Sequence, residues 1–193
     1  MTTLLGLIAS GIFLTRFIPQ PVQLFRTRDT AGVSPLAALN ATIAAVAWLI
    51  RGLEEHQPVV WIVSLAALVP SLITVGLLAR KTTMSDLGWA ATWALLLAGL
   101  WLGGALAVGL AAGVLVTQGP QVRKALQEED LSGLTPATWW LSVLDATTWG
   151  VYGLALGDAA LLSYFIVLLT CSIVVLLRLR FLNSRQVSRL HVP

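Results

Sequence analysis

Charged residues are scarce in this sequence, and their scarcity excludes several kinds of protein. Only 11% of the 193 residues are charged, whereas 57% are apolar. The charges stand in short clusters between long uncharged runs, which is typical of a polytopic membrane protein. The net charge of +3 is too small to indicate a nucleic-acid-binding surface. We therefore expect a protein that lies in a lipid bilayer and has no nucleic-acid partner.

Cysteine and histidine are also scarce. The one cysteine, Cys171, cannot form an intrachain disulfide. The two histidines, His56 and His191, fall in a predicted loop and in the C-terminal tail, and no cluster of metal ligands accompanies them. No nucleophile is paired with a base. The sequence therefore argues against an enzyme and indicates no metal or cofactor.

A short stretch of the sequence occurs twice without a gap. Each element of the second copy lies 101 positions after its counterpart in the first. The matched elements are Pro19-Gln20 with Pro120-Gln121, Gly32-Val33-Ser34-Pro35 with Gly133-Leu134-Thr135-Pro136, and Trp48 with Trp149. We therefore interpret the chain as two copies of one unit and a connector.

The connector decides how many membrane spans the sequence predicts. No charged residue occurs from Leu87 to Val122, and one helix over this run would measure about 54 Å, nearly twice the hydrocarbon core of about 30 Å. Two spans therefore fit there, with a turn at Gly103-Gly104. The seven predicted spans are Thr3–Phe25, Pro35–Gly52, Val59–Ala79, Leu87–Leu102, Ala105–Leu126, Pro136–Gly153 and Ala159–Leu177.

Seven spans predict an all-α membrane protein with a 3+1+3 layout. Residues 1–81 form the first three-helix repeat, 82–103 the linker span, 104–180 the second repeat and 181–193 a basic cytoplasmic tail. With the N-terminus outside and the C-terminus inside, most basic residues lie in the cytoplasm, as the positive-inside rule requires. A single linker span leaves the two three-helix bundles parallel. The compact loops and the lack of a targeting segment favour a bacterial inner (plasma) membrane.

The duplicated Pro-Gln, followed by Gly-Val-Ser-Pro or Gly-Leu-Thr-Pro and a helix with a tryptophan, resembles the PQ-loop superfamily. The 3+1+3 layout is similar to the SWEET sugar transporters and, as a second choice, to cystinosin-like amino-acid exporters. The resemblance implies transport of a small polar solute, a sugar or a related compound, by alternating access between the bundles. Two alternatives stay open: a proton-coupled amino-acid transporter, and a PQ-loop receptor that binds without transport. Whether the protein forms a homo-oligomer is also open.

The resemblance further implies that prolines and their neighbouring glutamines act as hinges or gates. The matching residues here are Pro19, Gln20, Pro35, Pro120, Gln121 and Pro136. Pro19 and Pro120 fall inside predicted spans, where a proline breaks a backbone hydrogen bond that lipid cannot replace. Pro35 and Pro136 have a second interpretation as ordinary first residues of helices.

The resemblance also implies a binding pocket. Its tryptophans correspond to Trp48 and Trp149, although a tryptophan near a helix end is also a common interfacial anchor. The asparagines of the sugar-transporting members correspond to Ser64 and Phe165. A serine can bond a sugar hydroxyl, whereas a phenylalanine can only stack on an apolar face. A two-fold symmetric sugar site is therefore not expected.

Two charged residues fall inside predicted spans. Asp145 lies nine residues into the sixth span, about 13 Å from its end, and one turn before Trp149. A carboxylate at that depth marks a substrate or proton pathway by default. Arg16, at a similar depth in the first span, offers the alternative of a structural salt bridge with Asp145. Asn40, two turns before Trp48, is either a hydrogen-bonding residue of the pocket or a packing group between helices.

Overall fold

The structure, a computed structural model, describes the backbone of residues 2–190 and the side chains of residues 2–184. His191 and the end of the predicted tail lie outside the described residues. Within that part of the chain the secondary structure is helical, without strands. The helices are α1 (Thr2–Arg16), α2 (Pro19–Thr27), α3 (Pro35–Glu54), α4 (Pro58–Leu78), α5 (Met84–Leu102), α6 (Leu106–Gln127), α7 (Pro136–Leu156) and α8 (Ala159–Leu190), with one 3₁₀ turn at Ala79–Lys81.

These helices confirm the predicted all-α membrane protein with seven helices, because α1 and α2 together form the first one. Four stretches are long and apolar enough to cross a membrane by length and composition alone. They are Thr2–Thr27, Pro35–Glu54, Pro58–Lys81 and Ala159–Ser184. The other three helices, α5, α6 and α7, have 19, 22 and 21 residues. The chain is an integral membrane protein.

The first helix is broken between α1 and α2. Here the N–H groups of Phe17 and Ile18 bond to carbonyls three residues back, at 3.2 Å each, which makes a tight turn instead of a continuous α-helix. Pro19 then begins α2, and Pro21 follows it. In the second copy α6 continues through Pro120. The copies differ because the position that matches Pro21 is Val122, so α6 loses one backbone donor where the first copy loses two.

The packing of the helices follows the duplication. Within the first copy α4 lies against α1, α2 and α3, and within the second α8 lies against α6 and α7. Between the copies α1 packs on α7, and α3 packs on α6. Exchanging the copies turns each of these two interfaces into the other, as expected for parallel repeats related by a two-fold axis. The linker helix α5 packs against α3 and α6.

Candidate functional site

Gln20 and Gln121 each bind the backbone of the opposite copy. The carboxamide of each glutamine donates to the glycine carbonyl of the other copy's turn and accepts the N–H of its Ser or Thr. We call this set the glutamine clamp, and the end of the helix bundle where it lies the glutamine end. Its hydrogen bonds are Gln121 Nε2 to Gly32 O (2.6 Å), Ser34 N to Gln121 Oε1 (2.8 Å), Gln20 Nε2 to Gly133 O (2.9 Å) and Thr135 N to Gln20 Oε1 (3.3 Å).

The two turns that the clamp holds are in direct contact. Gly32 has a φ of +72°, which glycine adopts without strain. Gly133 lies against the main chain of the first copy: a Cβ atom there would overlap the carbonyl oxygen of Ala31 and lie 2.7 Å from its nitrogen. Both glycines are therefore needed for this close approach. A buried apolar cluster packs below them, formed by Leu24, Val33, Leu78, Ala125, Leu131, Leu134, Trp139 and Val175.

Two aspartates shape the same turns outside the membrane-spanning helices. Asp29 Oδ1 accepts the N–H of Ala31 at 2.9 Å, and Asp130 Oδ1 accepts the N–H of Ser132 at 3.0 Å and its hydroxyl at 2.6 Å. The hydrogen bond from Ala31 lowers the pKa of Asp29, and those from Ser132 lower the pKa of Asp130. Both carboxylates are therefore ionised at neutral pH and order the turns.

Arg51 joins the copies at the opposite end of the bundle, which we call the Arg51 end. Its Nη2 lies 2.9 Å from Asp158 Oδ2, at the start of α8, and its Nε lies 3.0 Å from Glu55 Oε1. The guanidinium also lies 5.4 Å from the centre of the Trp48 ring. Asp158 Oδ1 accepts the N–H of Ala160 at 2.8 Å, so this carboxylate caps α8 as well. This ion pair was not predicted from the sequence.

A cavity of about 220 Å³ lies between the two ends. Helices of both copies line it, mainly with alanine, valine and aromatic side chains. Six of the predicted site residues are among its lining residues, namely Arg16, Gln20, Trp48, Ser64, Gln121 and Trp149. Arg16 is the single charged residue among those that line it. The cavity thus has a largely apolar wall with one positive charge.

Three of the predicted substrate-binding residues do not line the cavity, and neither do the four predicted hinge prolines, Pro19, Pro35, Pro120 and Pro136. Asn40 is buried and donates its Nδ2–H to the carbonyl of Val116 at 3.0 Å, which links α3 to α6. Phe165 packs against Gly150, where a Cβ atom would lie 2.6 Å from the ring. Asp145 is fully buried on α7. The structure therefore places these three side chains in helix interfaces behind the cavity wall.

A charged group lies at the cavity wall. It consists of Arg16 and Tyr164, which line the cavity, and Asp145, which is buried behind them. Asp145 Oδ2 lies 3.4 Å from Arg16 Nε and accepts the Tyr164 hydroxyl hydrogen at 2.5 Å, whereas Asp145 Oδ1 has no partner among the described residues. The Arg16 guanidinium lies over the rings of Phe13 and Phe17, 5.1 and 4.8 Å from their centres. Arg16 also ends α1, where the helix dipole favours a positive charge.

Tyr164 was not identified from the sequence. It lies nineteen residues after Asp145 on another helix, so no helical spacing connects the two. Its counterpart in the first copy is Val63, and the repeat therefore gave no signal either.

Helical composition, duplication and a cavity between the copies define an integral membrane protein built from a repeated helical unit. Residues 1–61 match the family model described as PQ loop repeat. The matched segment includes Pro19-Gln20, the Gly32 turn and all of α3. The match supports the resemblance of the chain to the PQ-loop superfamily. No curated protein matches the chain.

Proposed function

We propose that the protein is a membrane transporter that exposes its central cavity alternately to the two sides of the membrane. The observation that carries this proposal is the position of the cavity. It lies between two copies of one unit, and the contacts at both of its ends join one copy to the other. A tilt of one copy against the other would open one end while the other stays closed.

The contacts at the glutamine end suit a reversible gate. The glutamine clamp consists of four neutral hydrogen bonds, each of which contributes about 1 kcal/mol net. When the closed and open states differ by only a few kcal/mol, both are populated or a bound solute can shift the balance between them. The break between α1 and α2 lies directly before Gln20, so it supplies a flexible joint beside the clamp.

The lining of the cavity favours a small polar solute, with a sugar or related compound first. Trp48 and Trp149 offer aromatic faces, and Ser64 offers a hydroxyl. Further lining residues have buried polar atoms without a partner among the described residues: Ser71, Trp93, Thr138 and Trp139. A solute with several hydroxyl groups would satisfy such atoms if the tilt of one copy against the other brings them to the cavity surface.

Two alternatives have observations in their favour. The charged group of Arg16, Asp145 and Tyr164 beside the cavity favours proton-coupled amino-acid transport. A receptor of PQ-loop type would use the same cavity for binding without flux. Neither alternative involves an enzymatic reaction.

The orientation proposed is N-out and C-in, in a bacterial plasma membrane. Basic residues flank the helix ends at the glutamine end, and the positive-inside rule places such residues in the cytoplasm. They are Arg26, Arg28, Arg80, Lys81, Arg123 and Lys124.

Uptake by the purified protein in liposomes tests the proposal. A panel of labelled sugars, polyols and amino acids is offered with and without an inward proton gradient. The proposal predicts saturable uptake of at least one class, and gradient-dependent uptake of amino acids alone would instead favour the coupled alternative. Saturable binding without uptake would contradict transport and favour a receptor.

A further inference from the structure

The position of Arg16 is unusual, because its counter-ion lies behind the cavity wall and not in the cavity. Arg16 lines the cavity and is its single charged lining residue, while Asp145 is fully buried behind it. A charge on an otherwise apolar wall, with its counter-ion behind that wall, suggests a ligand of opposite charge on the cavity side. The cavity therefore presents a positive group that a solute can reach.

The hydrogen-bonding capacity of Arg16 is little used. A guanidinium carries five N–H donors. Among the described residues Arg16 makes one ion pair, with Asp145 at 3.4 Å, which is beyond the usual range for an N–H to oxygen hydrogen bond. The guanidinium also lies over the rings of Phe13 and Phe17. Because carboxylates bind arginine through two parallel hydrogen bonds, the guanidinium is well suited to take a second carboxylate.

We propose that the transported solute is a small monocarboxylate without an amino group, whose carboxylate binds the cavity side of the Arg16 guanidinium. A hydroxylated acid, such as a sugar acid or a short hydroxy acid, has this chemistry. This inference rests on the proposed transport function and narrows its solute class. An amino acid fits less well, because no acidic residue lines the cavity to bind its ammonium group.

The charged group occurs in only one of the two copies. The counterparts of Arg16, Asp145 and Tyr164 are Thr117, Ala44 and Val63, and none of them is charged. All three counterparts line the cavity. The solute thus meets an ionic wall on one side and a small, mainly apolar wall on the other, which suits a molecule with a carboxylate at one end.

Binding of a carboxylate to Arg16 has a consequence for Asp145. Few other charged or titratable groups lie near Asp145. Its own helix, α7, carries no second charged residue, and α8 contributes the titratable Tyr164 at this depth. The one charged residue of α2 is Arg26, which lies ten positions after Arg16. When the solute carboxylate shares the guanidinium with Asp145, one positive charge faces two carboxylates, and one negative charge beside the buried Asp145 is left uncompensated. A buried unpaired carboxylate is neutralised by a proton. One solute anion and one proton from the aqueous phase then enter together, and the total charge of the site stays zero.

Matched pairs of labelled solutes test the solute class. Glucose is compared with gluconate, and glycerol with glycerate, in uptake by the full-length protein in liposomes. Because hydrogen bonds to a charged group are stronger than neutral ones, the acid of each pair should be preferred by about tenfold to a hundredfold. Alanine, which has the three carbons of glycerate and an ammonium group, should be taken up less well than glycerate.

Charge-removing variants test the role of Arg16. The single change Arg16→Gln leaves Asp145 unpaired and risks misfolding, so the informative variant is Arg16→Gln with Asp145→Asn, which removes both charges. It should lose the preference for gluconate over glucose while still binding glucose. Arg26→Gln, which removes an exposed positive charge near the end of α2, is the control and should keep the preference.

The proton step has its own readout. Gluconate uptake by the unchanged protein should rise as the external pH falls and should not respond to membrane potential, since the transported sum is neutral. Asp145→Asn should remove this pH dependence while gluconate still binds. Equal uptake of acids and neutral partners, or a preference for alanine over glycerate, would overturn the inference and leave transport itself intact. Failure to bind or move any probe would overturn both.

Discussion

Loss of one half of the glutamine clamp should shift the protein toward a state that is open at the glutamine end. Gln121→Leu keeps the approximate volume of the side chain and removes both of its bonds, to the Gly32 carbonyl at 2.6 Å and from the Ser34 N–H at 2.8 Å. At about 1 kcal/mol for each bond the closed state loses about 2 kcal/mol. That difference corresponds to a roughly thirtyfold change in the ratio of closed to open states.

A cysteine in the cavity reports this ratio. Ala41 lines the cavity on α3, and Ala41→Cys in a Cys171→Ala background gives a single thiol there. When opening and closing are fast, its reaction with a membrane-impermeant maleimide follows the open fraction. Added from the side of the glutamine end, the reagent should react about thirtyfold faster in the Gln121→Leu protein than in the parent.

Gln127→Leu provides the matched control, because Gln127 is an exposed residue at the end of the same helix. It should leave the labelling rate unchanged. Gln20→Leu should act in the same direction as Gln121→Leu, with a smaller effect because one of its bonds is 3.3 Å long. Equal labelling rates in Gln121→Leu and the parent protein would refute the claim that the clamp closes this end.

Three further predictions follow from individual contacts. Gly133→Ala should prevent closure at the glutamine end, because its Cβ would overlap the opposite main chain, whereas Gly119→Ala has open space and should behave as the parent in the same labelling assay. Asp158→Asn keeps the cap of α8 but loses the ion pair with Arg51, and should raise labelling from the Arg51 end roughly tenfold or more. Between about pH 5 and 8, Asp29→Asn and the parent protein should show the same pH dependence of thermal stability.

The direction of the pH dependence of stability that Asp29 contributes follows from its lowered pKa. The Asp29 carboxylate has a pKa below its usual value of 3.8, so it stabilises the fold above that value and the stabilisation is lost as the pH falls through the lowered pKa. A pH-dependent difference in thermal stability between Asp29→Asn and the parent near pH 7 would contradict this.

For Asp158, an unchanged labelling rate in Asp158→Asn together with a raised rate in Asp158→Ala would show that the residue acts only as the cap of α8. For Gly133, closure in the alanine variant would show that the turns can separate without opening the cavity.

Local signals in the sequence were sufficient to predict the helices. Pro35 and Pro136 begin α3 and α7 because proline fits the first turn of a helix, and Gly103-Gly104 separates α5 from α6 because glycine favours a turn. The first helix breaks just before Pro19 and not at it, since proline begins the second segment. The break depends on two prolines two residues apart, Pro19 and Pro21, and the spacing of residues in the sequence does not fix its position to within a few residues.

The site was only partly predictable, because its contacts are between distant parts of the chain. The repeat singled out Gln20 and Gln121, but only the fold shows that each one binds the turn of the other copy. Arg16 and Asp145 were expected at similar depths, and the structure places them 3.4 Å apart. Tyr164 and the pair of Arg51 with Asp158 depend on which helix ends meet, which composition and periodicity do not encode.

Solute counterflow tests the central claim, that one cavity is exposed alternately to the two sides. Liposomes that contain the protein are loaded with a high concentration of an unlabelled solute from the uptake panel and diluted into a trace of the same solute with label. A single alternating site predicts that the label accumulates inside above its equilibrium level for a time and then declines. Saturable binding with no transient accumulation of label would contradict the account.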